Sequence, residues 1–218
     1  MSQSIVGICN LALSNVGVQQ TIASLDEKSN EARACNRWYE QTRDEVLAAF
    51  PWPFATAYVA LALVTKNPVT EWKFAYRYPP NCVTVRKILN PWGRLDIGVG
   101  FDPFVVTDQL QGASPIRIPF TLGVDAQGKL IYTDQEEANV EITSIVTNSG
   151  LFDPLFVNAF AWKLGWHIAL GLTGGDKAKM VEYAEKKYMD VIIEATNAAA
   201  NQMQKDKDPD SEFIRARS

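Results

Sequence analysis

Two changes of periodicity along the 218 residues predict an α+β fold. Apolar residues recur at three- and four-residue steps before about residue 50 and again after residue 153, the signature of an antiparallel bundle of about four helices. Between Tyr58 and Thr147 the pattern changes to short alternating or β-branched runs separated by turn signals, which predicts a β-rich domain inserted between helices two and three. The expected organisation is bundle helices one and two in 1–57, the β domain in 58–150, helices three and four in 151–203 and an extended C-terminal tail in 204–218.

Helix one is expected over about residues 3–16, where Ile5, Ile8, Cys9, Ala12, Leu13 and Val16 form one stripe and Gly17 supplies a left-handed stop. A linker over 18–25 follows, with Ser24 and Glu27 at capping-box spacing and Asp26 and Ser29 as competing N-caps. Helix two carries a stripe of Cys35, Trp38, Thr42, Val46 and Ala49, with Arg33, Arg37, Glu40 and Arg43 largely off it. Pro51 and Pro53 lack amide donors, so this helix ends near Phe50 and the chain turns out through Trp52 and Phe54, expected to plug one end of the bundle.

The strand candidates are Val83–Arg86, Ile116–Ile118, Lys129–Thr133 and Val140–Thr143. Turn chemistry separates them at Pro79-Pro80-Asn81, Asn90–Gly93, Gly112–Pro115 and Asp125–Gly128, with a polar connection from Asp134 to Asn139. Residues 93–112 read as a long loop of the kind that often makes functional contacts. Helix three starts at Asp153 as N-cap with Pro154 in its first position, carries Leu155, Phe156, Phe160, Leu164, Ile168 and Leu172, and stops at Gly174-Gly175. Helix four spans about 176–202 on Val181, Ala184, Tyr188, Val191, Ala195 and Ala198. Beyond it the chain is polar, with Phe213 and Ile214 set between charges. Burying that pair in a partner's groove would contribute roughly 3–5 kcal/mol before ordering costs of similar size.

Twenty-five acidic against 21 basic residues, a net charge of −4, argue against a general polyanion binder. The first ten residues lack a basic segment leading into a long apolar run, and polar residues interrupt the apolar helix 154–172, so neither a signal peptide nor a membrane span is expected. Cys9, Cys35 and Cys82 have no metal-pair spacing and are expected as reduced thiols. His167 is the only histidine, which removes every multi-histidine metal site; in GWHIAL it reads as a packed helix residue. The carboxylates of Arg43-Asp44-Glu45 and Asp134–Glu137 read as helix surface and turn polarity. Neither G-x-G-x-x-G nor a phosphate loop is present. Arg77, Arg86, Lys87 and Arg94 with Tyr76, Tyr78 and Trp92 are the best candidate nucleic-acid set, although strand faces with a cross-strand aromatic cluster are the favoured reading of them. No catalytic residue, cofactor or metal is expected.

The run EARACNRWYEQTRDEVLAAFPWPFA at 31–55, with NLALSNVG at 10–17 and LFDPLFVNAFAWKLGWHIALGLTGG at 151–175, resembles the head-to-tail adaptor (tail tubular protein A) family of short-tailed bacteriophages. Positions matching the family pattern include Asn10, Tyr39, Arg43, Asp44, Trp52, Phe54, Asp153 and Pro154, which are scaffold positions. The resemblance implies a structural virion protein of the tail or neck, made in the host cytoplasm, without catalysis or membrane. It would form a homo-oligomeric ring, a dodecamer in the virion, between the portal protein and the tail nozzle protein. Genomic DNA would pass through its lumen without specific binding. In that setting Phe213, Ile214, Arg215 and Arg217 become a candidate portal-binding tail, and Trp92, Arg94, Phe101 and Phe104 a candidate nozzle contact loop. The alternatives are another head-completion connector, a small oligomeric enzyme or a DNA-binding module.

Overall fold

The computed structural model describes residues 4–65, 67–89, 118–172 and 177–202. The expected loop 93–112, the turns at 90–93 and 112–115, the Gly174-Gly175 stop and the tail 204–218 lie outside these residues. In chain order the elements are α1 (Ile5–Asn15), α2 (Asn30–Ala49), six strands β1 (Thr56–Ala60), β2 (Phe74–Arg77), β3 (Cys82–Ile88), β4 (Phe120–Asp125), β5 (Gly128–Thr133) and β6 (Asn139–Ser144), then α3 (Pro154–Leu172) and α4 (Lys177–Gln202). The described residues form an α+β protein of four helices and two small antiparallel sheets. One compact unit comprises the chain up to Thr56 and from Thr143 through α4, and the other comprises Ala57–Ile142.

Ser4 caps α1 by accepting the Gly7 amide at 3.0 Å. Gly17 ends it at φ +78°, the Val18 amide reaching Leu13 O at 3.0 Å and the Gly17 amide Ser14 O at 3.0 Å, which together make a Schellman stop. The competition for the α2 cap is won by Ser29, whose hydroxyl accepts from the Ala32 amide at 3.2 Å. Ser24 and Glu27 fold the linker instead, Glu27 Oε2 accepting the Ala23 amide at 3.0 Å and Ser24 Oγ the Asp26 amide at 3.2 Å.

The buried face of α2 is Ala32, Cys35, Tyr39, Thr42, Arg43, Val46 and Leu47. This corrects the sequence reading: Ala49 is exposed, Trp38 is half-buried and Arg43 lies within the stripe. An arginine fits there because its methylene stem packs while the head stays paired, here through Nε to Asp44 Oδ1 at 2.8 Å.

α3 is the hub of its unit, packing against α1, α2 and α4, whereas α1 and α2 barely meet. It has the length and composition of a membrane-spanning helix, and half of its apolar window is buried in the protein. Ala161, Gly165 and Ala169, four residues apart, form a small-residue stripe on it; a Cβ at Gly165 would stand 3.0 Å from Val16 Cγ1 and 3.2 Å from Ala12 O. α4 buries only Ala184, Tyr188, Ala195 and Ala199, leaving Tyr183, Met189 and Ile193 exposed.

In the second unit the strand orders are β1-β6-β3 and β2-β5-β4. Two isolated antiparallel bridges lie outside the strands proper, one between Ile88 and Ile118 and one between Leu63 and Tyr76. Tyr76, Val85, Ile88, Ile131, Ala138, Val140 and Ile142 make one core of this unit, and Ala75, Leu130 and Tyr132 make a second on the other face of β2 and β5. Cys82, Val85 and Ile88 all reach the first core, so β3 departs from strict alternation. β4 and β5 form a hairpin in which Asp125 pairs with Gly128, and Gly128 sits at φ +134°. Gly123 leaves room for the Tyr132 ring from the neighbouring strand, a space that any side chain at that position would enter.

Candidate functional site

The scaffold positions named from the sequence all lie in the helical unit. Asn10 fastens the linker to α1: its Oδ1 accepts the Ile22 amide at 2.8 Å and its Nδ2 donates to Ile22 O at 3.0 Å. Trp52, 1 % exposed, donates from Nε1 to Val46 O at 2.8 Å, which satisfies a carbonyl at the end of α2 that the helix leaves open. Its ring meets Phe50, Phe54 and Phe156 at centroid distances of 5.4, 6.2 and 5.0 Å, and Phe54 in turn meets Phe152 and Phe156. The expected plug is therefore a cluster of edge-on and tilted aromatic contacts. Asp153 O accepts the Val157 amide at 2.9 Å as α3 begins at Pro154.

Tyr39 packs on Phe160 at 5.0 Å, and its buried hydroxyl has no hydrogen-bond partner. Burial, with Cys9 nearby, raises this phenol to about 12. An unpartnered buried hydroxyl is a net cost, so Tyr39→Phe is expected to raise stability by about 1 kcal/mol, read as a higher urea midpoint at unchanged slope. Cys9 and Cys35 are buried free thiols, as expected; hydrogen bonding to Cys35 and burial push the Cys9 thiol up.

The densest polar chemistry lies on the α2–α3 contact and was not assembled from the sequence. Glu45 Oε2 meets His167 Nε2 at 3.1 Å and Lys163 Nζ at 3.5 Å, while Gln41 Nε2 donates to Glu45 Oε1 at 2.9 Å. The His167 ring lies parallel to the indoles of Trp38 and Trp166, with centroids 4.8 and 5.6 Å away. Lys163 Nζ sits 3.7 Å over Trp166 and 5.0 Å from the Tyr188 ring centroid. Burial opposes the charge on Glu45, but Gln41, His167 and Lys163 outweigh it and hold the carboxyl below its ordinary value. Its contribution to stability is thus present above about 4.5 and is lost as pH falls through the lowered folded value. His167 is packed, as expected, yet it is also hydrogen-bonded to a residue 122 positions away. The sequence signal for that pairing was weak: a glutamate and a histidine on two separate amphipathic helices.

The described members of the basic and aromatic set are taken up by the β fold. Arg77 makes a bidentate pair with Asp125 at 2.7 and 2.8 Å, reaching over β5 to tie β2 to β4. That bond raises the Arg77 guanidinium and lowers the Asp125 carboxyl. Lys87 pairs with Glu141 at 2.9 Å. Tyr76 is buried and donates to Gln135 O at 2.9 Å, and burial, with Cys82 beside it, raises the Tyr78 phenol. Arg94 and Trp92, with Phe101 and Phe104 of the contact loop and Phe213, Ile214, Arg215 and Arg217 of the tail, lie outside the described residues. Among the described residues no group of three or more His, Cys, Asp or Glu is placed to hold a metal ion. The chain matches no family model and no curated protein.

Proposed function

We propose that this chain is a head-to-tail adaptor of a short-tailed bacteriophage, a structural virion protein whose ring joins the portal to the tail nozzle around a conduit for DNA. The observation that carries the reading is the resemblance of 10–17, 31–55 and 151–175 to that family. In support, those segments fall on α1, on α2 with the Trp52–Phe54 turn, and on α3, helices packed in one unit around the α3 hub. The six strands stand between α2 and α3 in chain order, and the first and last of them, β1 and β6, are hydrogen-bonded neighbours. A β domain inserted through 58–150 between the bundle segments 1–57 and 151–203 is part of the proposal, as is a docking tail at 204–218.

The net charge of −4 suits a conduit, because each neutralised phosphate strengthens salt-dependent binding and resists passage. Phe213 and Ile214 of the tail would seat in a groove of the portal, weakly for one chain and firmly when a ring presents many copies. Sedimentation of portal rings with the full-length chain and with a chain ending at Gln204 tests this directly. Co-sedimentation that disappears on truncation is the expected result; equal co-sedimentation of both chains removes the tail's docking role. A titration with duplex DNA separates the DNA-binding alternative, which requires tight binding with a steep salt slope.

A further inference from the structure

We infer that Cys9 and Cys35 are a latent disulfide, free thiols in a reducing compartment that close into a bond between α1 and α2 in an oxidising one. Both side chains are 0 % exposed, Cys9 on the buried face of α1 with Ile8, Ala12 and Leu13, and Cys35 on that of α2 with Ala32 and Tyr39. They meet inside the helical unit. The two thiols are hydrogen-bonded to one another, and Cys9 also lies near the phenol of Tyr39, one turn beyond Cys35 on α2. Bond formation draws the sulfurs in from this contact to about 2 Å. Ala12 and Ala32, each a turn from its cysteine on the same buried face, are small, so no bulky side chain at those positions holds the helices apart. α1 and α2 share few other contacts and are held mainly through α3, so a covalent link here would join them directly.

The oxidant required is a small disulfide, for which oxidised glutathione is the probe. One protein thiol gives up its proton and attacks a glutathione sulfur; the S–S bond of the oxidant breaks, a mixed disulfide forms, and one glutathione leaves and takes up the proton. The second protein thiol then attacks the protein-side sulfur and expels the other glutathione. Two protein S–H bonds are exchanged for one S–S bond, and two electrons and two protons pass to the oxidant. Because neither thiol is exposed, the oxidant reaches them only when the helical unit opens locally, which makes the reaction slow in the folded protein and shields the finished bond. Cys82, the remaining cysteine, belongs to the β unit and has no second thiol there, so it is an internal control.

The full-length protein is equilibrated with mixtures of oxidised and reduced glutathione, both from the folded state and during refolding from urea, where access is not limiting. It is then alkylated in denaturant, digested and weighed by mass spectrometry. The expected product is one cross-linked pair of peptides carrying Cys9 and Cys35, lighter by the two hydrogens lost, with Cys82 alkylated. The oxidised protein should melt about 5–10 °C above the reduced one. Cys35→Ala should lose the cross-link and the gain in Tm, and Cys82→Ala should keep both. Cys9 and Cys35 both alkylated after refolding in the most oxidising mixture, a cross-link through Cys82 instead, or a Cys9–Cys35 protein no more stable than the reduced one would each overturn the inference.

Discussion

Trp52→Ala is expected to destabilise the helical unit by about 3–5 kcal/mol, a large share of the roughly 5–15 kcal/mol that holds a folded protein together. The indole is 1 % exposed and touches Phe50, Phe54 and Phe156 at once, so its removal leaves a cavity that rings fixed on α3 and on the 3-10 turn Pro53–Ala55 cannot close. It also supplies the donor for Val46 O at 2.8 Å. Trp52→Phe separates the two effects: it keeps most of the aromatic contact, loses the donor, and should cost about 1–2 kcal/mol. Equilibrium denaturation in urea measures both. An alanine variant within 1 kcal/mol of the wild type would mean that the plug contributes little to holding α2 against α3.

Gly165→Leu is the second large effect, with an expected loss of about 4 kcal/mol or more. The cause is backbone proximity. A first side-chain atom at Gly165 meets Ala12 O at 3.2 Å as well as Val16 Cγ1 at 3.0 Å, and a backbone carbonyl in the last turn of α1 has no rotamer with which to retreat. α1 and α3 must then separate, which uncovers Ile8, Leu13 and Val16. Gly171 on the same helix is an internal control, since a Cβ there meets nothing within 4 Å. Gly171→Ala should therefore gain about 0.5–1 kcal/mol from helix propensity. Hydrogen exchange adds the location of the damage: α1 amides should lose protection in Gly165→Leu and keep it in Gly171→Ala.

The helices were legible because their signals are local. Gly17 ends α1, Pro51 ends α2, and Asp153-Pro154 starts α3, each through local backbone chemistry, whereas the Ser4 cap of α1 was not read from the sequence. Arg43 was misplaced because a long cationic side chain reads as surface until its stem is seen to pack. β3, β5 and β6 carry β-branched runs and were found; β1, β2 and β4 were not named as strands. Phe74–Arg77 is only four residues long, and Phe120–Asp125 contains Gly123, whose meaning lies in the Tyr132 ring of another strand. The Glu45, Lys163 and His167 cluster stayed hidden for a related reason. Glu45 and His167 are 122 residues apart, and only the packing of α2 on α3 brings Glu45 within 3.5 Å of His167 and Lys163.

The adaptor reading stands or falls on assembly. A heterologous ring requires two different patches on each subunit. Light scattering with negative-stain imaging, applied to the protein alone and after mixing with candidate portal rings, measures this directly. The expected result is a ring of this chain seated on one face of the portal, with a mass increase equal to a whole number of subunits. A compact monomer that ignores every portal ring offered would contradict the account.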